Sequence, residues 1–135
     1  MASQPVRFER IFHVAAADID ELGHVNNVVY LRWVQDVAAA HWESATTPAE
    51  RAGVGWVVLR HEIDYKHPAR PGDDVIARTW VGPPAAATFE RHTEISRAAD
   101  RRVLAQARSL WCPVNPKTGR VQRIDPALHD RFYIS

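Results

Sequence analysis

Two aspartates and a histidine lie close together in the segment DIDELGH, at residues 18–24. A carboxylate such as Asp20 can attack an acyl carbonyl as a nucleophile, or it can activate a water as a general base. Aspartates in turns also hydrogen-bond the nearby backbone, so Asp18 and Asp20 have a purely structural interpretation as well. His24 has two interpretations too, one catalytic and one in which it only caps or packs.

A helix is predicted to begin directly after this segment, at Asn26 or Asn27. The first turn of a helix presents free backbone N–H groups and a partial positive charge. An acyl carbonyl directed at the N–H of Asn27 would be polarised, which is what an oxyanion site does. Capping and an oxyanion site are compatible at Asn27, because the oxyanion site uses only the backbone.

Further candidates for contact with a substrate come from the helix and from the strand that follows it. Tyr30 is interpreted as a wall of a binding pocket or as a core residue. Arg60, His61 and Lys66, with Arg70 nearby, lie along one strand and its exit. Such a cluster can bind the phosphates of a nucleotide group, and the alternative is an ordinary solvated strand face.

Other kinds of site have little support in the sequence. Cys112 is the single cysteine, so no intrachain disulfide can form, and its strand-like context indicates a buried, inert thiol. No G-x-S-x-G elbow or glycine-rich phosphate loop is present. The seven histidines lack paired ligand spacing, so we expect no metal and no cofactor. The net charge of +1 indicates no general affinity for nucleic acid or an anionic membrane.

One long helix must position these residues. Residues 26–43 are apolar around most of the predicted helix circumference, which is typical of a buried helix. Arg32 and Asp36 have the i,i+4 spacing of an ion pair. Strands are predicted at 7–14, 56–66, 75–81, 87–97 and 103–114, and a short terminal helix at 125–132. Alternation within 56–66 predicts one face for Val57, Leu59, His61, Ile63 and Tyr65.

Short turns between consecutive strands predict antiparallel pairing, and the long helix is the apolar body available to cover the sheet. We therefore expect a single α+β domain over residues 1–135, with a generic α+β packing of the same elements as the alternative. No segment approaches the length of a membrane span, and the first ten residues lack a signal-peptide core. The expected location is cytoplasmic.

The stretch DIDELGHVNNVVY at residues 18–30 resembles the signature of the hotdog-fold acyl-CoA thioesterases, a group that includes the 4-hydroxybenzoyl-CoA thioesterase family. The resemblance implies an antiparallel five- to six-stranded sheet wrapped around one long central helix, in a homodimer or homotetramer. It also implies that Asp20 is the catalytic carboxylate and that Asn27 carries the polarising N–H. His24 matches a catalytic histidine of the plant enzymes, but Leu22 stands where those enzymes have an asparagine.

The leading hypothesis is thus a thioesterase that hydrolyses an acyl-CoA or an acyl-carrier-protein thioester without a metal. Two alternatives stay open. One is a hotdog hydratase or dehydratase, and the other is a non-catalytic module that binds acyl-thioesters.

Overall fold

A computed structural model describes residues 4–134. The predicted domain, 1–135, and the N-terminal segment considered for a signal peptide both include residues outside that range. The elements in chain order are β1 (Gln4–Pro5), β2 (Phe8–His13), α1 (Asn27–Ala45), α2 (Pro48–Ala52), β3 (Gly55–Tyr65), β4 (Asp74–Val81), β5 (Phe89–Arg97), β6 (Val103–Val114), α3 (Pro126–Asp130) and β7 (Tyr133–Ile134). No helix within 4–134 is long and apolar enough to cross a bilayer.

The main sheet has five strands in the order β2-β4-β5-β6-β3, and every neighbouring pair is antiparallel. The two terminal strands, β1 and β7, form a separate short pair. Helix α1 packs on the sheet over β4, β2 and β5. The predicted arrangement of an antiparallel sheet around one long helix is confirmed.

Helix α1 begins where its sequence can cap it. The side chain of Asn26 accepts a hydrogen bond from the N–H of Val28 at 3.0 Å, which satisfies one of the free donors of the first turn. Its buried positions recur at helical spacing, and they are Val29, Tyr30, Trp33, Val34, Val37, Ala38, His41 and Trp42. Burial of this wide apolar face, rather than helix propensity, holds the helix in place.

The predicted ion pair between Arg32 and Asp36 is wrong. Arg32 Nη2 instead donates to Asp18 Oδ1 at 3.0 Å, and Asp36 is exposed. The other oxygen of Asp18 accepts the N–H of Ala15 at 2.9 Å, and Asp18 is only 5% exposed. A carboxylate outside the helix competes successfully because it lies in the turn packed against α1, and Asp18 thereby joins that turn to the helix.

The predicted single face for the odd-numbered residues from Val57 to Tyr65 is also wrong. The register of β3 against β6 shifts between Val58 and Arg60, so Leu59 is an inserted bulge residue. An inserted residue exchanges the two faces of a strand. Val57 and Leu59 are accordingly 48% and 55% exposed, whereas His61 is half-buried and bonds to Ser109, a buried residue of β6.

The segment after α1 contains the short helix α2. Thr47 is its N-cap, and Thr47 and Glu50 exchange the reciprocal hydrogen bonds of a capping box. Pro48 occupies the first turn, where a missing N–H is harmless. The predicted terminal helix is present but shorter, with Asp125 as its N-cap.

Candidate functional site

A tight turn places the DIDELGH segment against the start of α1. Asp20 and His24 are joined by a backbone hydrogen bond of 2.8 Å, and Ile19 and Val25 form an antiparallel bridge on either side. Gly23 has a φ of 76°, which favours glycine there. The turn therefore holds Asp20 and His24 at fixed positions directly before the helix.

The two oxygens of Asp20 have different surroundings. Oδ1 accepts the N–H of Leu22 at 2.9 Å and the N–H of His24 at 3.2 Å. This is the structural interpretation of a turn aspartate. No donor within residues 4–134 reaches Oδ2, and the side chain is only partly buried. The backbone thus orients the carboxylate through one oxygen and leaves the other available.

The N–H of Asn27 is a free donor at the helix N-terminus. The side chain of Asn26 takes the N–H of Val28, and the carbonyl of Asn26 takes the N–H of Val29 at 2.9 Å. The N–H of Asn27, the first of the helix, has no acceptor in the described part of the chain, and Asn27 is exposed. A donor of this kind, at the positive end of a 19-residue helix, suits a carbonyl oxygen that gains charge.

These groups meet in one open groove, which we call the N-terminal groove. It lies beside the start of α1 and the end of β3. The structure brings five of the predicted site residues to it, namely Asp20, His24, Asn27, Tyr30 and Lys66. Lys66 is exposed at its rim, whereas Tyr30 is 2% exposed and belongs to both the groove wall and the core.

Arg60 and His61 do not line this groove. Arg60 lies on the outer face of β3, where its Nε donates to Glu62 at 2.8 Å. His61 lies on the inner face, with its Nδ1 2.7 Å from Ser109 Oγ, and burial lowers its pKa. Successive residues of a strand point to opposite faces, so Arg60 and His61 are divided between the two sides of the sheet, and the predicted phosphate-binding cluster does not form at the groove.

Tyr65 is a groove residue that the sequence analysis did not identify as a site residue. Its hydroxyl donates to the carbonyl of Asn27 at 3.2 Å, and its ring packs edge-on against Tyr30. The hydroxyl of Tyr30 in turn accepts the N–H of Ala69 at 2.8 Å, and burial raises the pKa of both phenols. Tyr65 thus secures the first residue of α1 to β3, a long-range contact without a local sequence signal.

Within residues 4–134, no group of three or more histidine, cysteine, aspartate or glutamate side chains is arranged to hold a metal ion. Cys112 is buried, at 7% exposure, in β6. Its placement agrees with a packed thiol.

The model of the thioesterase-like superfamily matches residues 14–132, and no curated protein matches the sequence. Among solved structures, a 1,4-dihydroxy-2-naphthoyl-CoA thioesterase from Synechocystis superposes with a TM-score of 0.82 at 18% identity, over 94% of this chain and 96% of that one. A thioesterase from Thermus thermophilus, solved with coenzyme A and zinc, gives 0.80 at 22% identity, over 93% and 96%. A predicted thioesterase from Bacillus stearothermophilus gives 0.82 at 23%, over 94% of each chain.

The chain belongs to the thioesterase-like superfamily, since the family model covers most of its length. The predicted hotdog fold is confirmed by the sheet, the helix and the structural neighbours. The class predicted from the sequence, a thioester hydrolase of the hotdog type, is confirmed at the level of the family.

Proposed function

We propose that this protein is an acyl-CoA thioesterase that hydrolyses its substrate in the N-terminal groove. The observation that carries the proposal is that two groups with free hydrogen-bonding capacity line that groove. One is the free N–H of Asn27 at the helix N-terminus, and the other is the oriented carboxylate of Asp20 with its available Oδ2.

Asn27 supplies the electrophilic half of the chemistry. The thioester carbonyl oxygen accepts the Asn27 N–H, and the positive end of α1 stabilises the negative charge that develops on that oxygen. Such a donor is preorganised, because Asn26 and Tyr65 hold the first turn of α1 from both sides. Loss of one oxyanion donor typically slows an enzyme by about 10²–10³-fold.

Asp20 supplies the other half by one of two routes. In the nucleophilic route, its free oxygen attacks the carbonyl carbon, the thiolate leaves, and water then hydrolyses the acyl-aspartyl anhydride. In the general-base route, it takes a proton from a water that attacks the same carbon. Both routes yield the free acid and the thiol. His24 lines the groove beside this carboxylate and is proposed to orient the water or the carboxylate.

The remaining groove residues suit the two ends of an acyl-CoA. Tyr30 offers an aromatic wall for the acyl group, and the exposed Lys66 offers a cation for a phosphate of coenzyme A. The similar Thermus thermophilus thioesterase was solved with coenzyme A, which supports this carrier over an acyl-carrier protein. A phosphate contact by Arg60 or His61 has no support from this groove.

The test is thiol release from a panel of aromatic and aliphatic acyl-CoA thioesters, with acyl-carrier-protein thioesters as a second arm. Release that disappears in Asp20→Asn supports the proposal. Binding of acyl-CoA without release identifies a binding module. Hydration of an enoyl-CoA without thiol release identifies the hydratase alternative.

A further inference from the structure

A second cavity lies between the later turns of α1 and the sheet, and we call it the Arg91 cavity. Its volume is about 130 Å³, and its walls include Trp42, Trp56, Phe89 and Trp111. It reaches the surface beside Gln35, which is exposed. A cavity of about 150 Å³ holds benzene in another protein, so this one suits a ring or a short alkyl chain.

This cavity is separate from the N-terminal groove. Its α1 residues, from Gln35 to Trp42, follow Asn27 by 8 to 15 positions. At 1.5 Å per residue they lie roughly 12 to 22 Å further along the helix.

One charged side chain, Arg91, lines this apolar cavity. Arg91 is 3% exposed, and its Nη1 donates to His41 Nδ1 at 2.9 Å and to Thr79 Oγ1 at 3.3 Å. Burial, and then the charge of Arg91, lower the pKa of His41 to about 4, so this imidazole is neutral at pH 7. Burial lowers the pKa of Arg91 to about 9, which leaves the guanidinium charged at pH 7. Both hydrogen-bond partners of Arg91 are therefore neutral.

No aspartate or glutamate in the described part of the chain forms an ion pair with Arg91. A buried charge without a counter-ion is strongly unfavourable. The rings of Phe89 and Phe132, with centroids 5.8 and 5.7 Å from the guanidinium carbon, offset part of that cost. The side chain still has donors to spare, because its Nε and Nη2 make no hydrogen bond within 4–134.

Trp111 lines the cavity through its ring carbons, because its indole N–H has almost no accessible surface. Trp111 Nε1 is buried and has no hydrogen-bond partner among residues 4–134. A buried guanidinium that has no counter-ion among the described residues and has unused donors in an apolar cavity calls for an anionic acceptor.

We propose that the Arg91 cavity is a second ligand site, which binds the carboxylate of a small apolar organic acid. Arg91 donates to the carboxylate through its unused Nε and Nη2, and the aromatic walls surround the apolar body. The ligand has two possible sources with this same chemistry. One is a free acid, and the other is the far carboxylate of an acyl chain whose thioester lies in the N-terminal groove.

Binding to the purified wild-type protein is the first test, and it needs no turnover. Three tryptophans line the cavity, so ligand binding can be followed by intrinsic fluorescence, with benzoate as the probe and benzamide as its uncharged match. We expect saturable binding of benzoate and at least ~10-fold weaker binding of benzamide, since only the carboxylate offers a charge to Arg91. Equal binding of the two, or no benzoate binding at millimolar concentration, overturns the proposal.

Variants locate the site. Arg91→Met should weaken benzoate binding at least ~10-fold and leave the melting temperature equal or higher, because it removes an uncompensated buried charge. Trp111→Leu, which removes one aromatic wall and keeps an apolar side chain, should weaken benzoate binding several-fold. The control is Arg78→Met on the outer face of β4, where Arg78 pairs with Glu9, and it should bind as wild type. Unchanged benzoate binding in both cavity variants contradicts the site.

Two acyl-CoA substrates with acyl chains of equal length distinguish a free acid from the far carboxylate of an acyl chain as the ligand. If the ligand is the far end of an acyl chain, dodecanedioyl-CoA has a higher kcat/KM than dodecanoyl-CoA, and Arg91→Met abolishes the difference. If the ligand is a free acid, Arg91→Met leaves that ratio unchanged while benzoate binding still depends on Arg91. Inactivity toward both substrates would count against the proposed thioesterase function and leave the benzoate result to decide the cavity.

Discussion

Asp18 and Asp20 are two residues apart, yet their carboxylates have opposite surroundings. Both oxygens of Asp18 are used, one by Arg32 and one by the N–H of Ala15, and the residue is buried. Asp20 uses one oxygen to define the turn and leaves the other available. The first aspartate therefore contributes to stability, and the second has the geometry for chemistry.

Asp20→Asn should keep the fold and remove most hydrolysis. The amide oxygen can still accept the two backbone N–H groups, so the turn is retained while the charge is lost. We expect kcat to fall by at least ~10²-fold, measured as thiol release, with acyl-CoA binding largely kept. Glu21→Gln, an exposed neighbour in the same turn, is the control and should stay near wild type. His24→Ala should fall between the two if His24 orients the water. A rate for Asp20→Asn within a few-fold of wild type would refute the role of Asp20.

Asp18→Asn should instead lower stability. The substitution removes the charge that pairs with Arg32 and keeps a group of the same size at a buried position. Loss of a charge-assisted hydrogen bond typically costs about 1.5–3 kcal/mol, and the partial exposure of Arg32 favours the lower end. Urea unfolding measures this change in the free energy of unfolding, and Asp36→Asn, at an exposed position, is the matched control. A midpoint equal to that of wild type would mean that the ion pair contributes nothing.

At the scale of the element, the proposed oxyanion role of the α1 N-terminus can be tested by removing a single backbone N–H. Asn27→Pro deletes the N–H proposed to polarise the carbonyl, and proline is well tolerated at the first position of a helix. Asn26 already has φ −59° and ψ 138°, which suits a residue before proline. We expect a normal melting temperature and a loss of about 10²-fold in kcat.

Asn27→Ala is the matched control for the proline variant. It deletes the side chain but keeps the N–H, so its rate should stay near wild type. If alanine and proline reduce the rate equally, the side chain rather than the backbone donor is responsible.

His41 of α1 packs against Arg91 of β5, and its titration should make the free energy of unfolding depend on pH. The pKa of His41 is lowered to about 4 in the folded protein, against about 6.5 in an unfolded chain. Between these values the unfolded state binds the proton more tightly, so the stability from the neutral imidazole is complete above pH 6.5 and is lost as pH falls toward 4. Over the range from pH 7 to pH 5 this amounts to about 2 kcal/mol.

Urea unfolding at pH 7 and pH 5 measures this dependence, and His41→Gln should reduce it. A residual dependence is expected, because burial also lowers the pKa of His61 and His129. The same loss of stability in His41→Gln as in wild type would show that His41 is not the titrating group.

At the scale of the whole molecule, one sheet edge and its neighbouring face indicate self-association. β3 is a long edge strand, and its outer face exposes Val57 and Leu59. An apolar edge strand without a partner tends to pair with another chain. We propose a homodimer, or a homotetramer built from dimers, that uses the β3 edge.

Light scattering at micromolar concentration should give at least a dimer. The double variant Val57→Asp, Leu59→Asp should shift the mass toward the monomer, because two charges would be buried at the contact. Ile11→Asp on the opposite edge strand, where Ile11 is 67% exposed, is the control and should leave the mass unchanged. A monomeric wild type, or dissociation caused only by Ile11→Asp, would refute this interface.

The predictions from sequence succeeded where contacts are local. The period of the apolar residues located α1 to within two residues of its ends, and Asp20, His24 and Asn27 lie in one groove because they lie within eight positions of one another. The β3 prediction failed at Leu59, because a bulge changes the phase of a strand and leaves no mark in composition.

The sequence by itself thus determined the antiparallel strands, the long buried helix and the turn that places Asp20 in the same groove as the first N–H of that helix. Backbone dihedral preferences, capping and hydrophobic period act over a few residues, so they can be read along the chain. Only the tertiary structure decided three hydrogen bonds: Arg32 donates to Asp18, Tyr65 donates to the carbonyl of Asn27, and Arg91, beside its apolar cavity, donates to His41. Those partners are 14 to 50 positions apart, and their meeting depends on the register of β3 and β5 and on how α1 packs over the sheet.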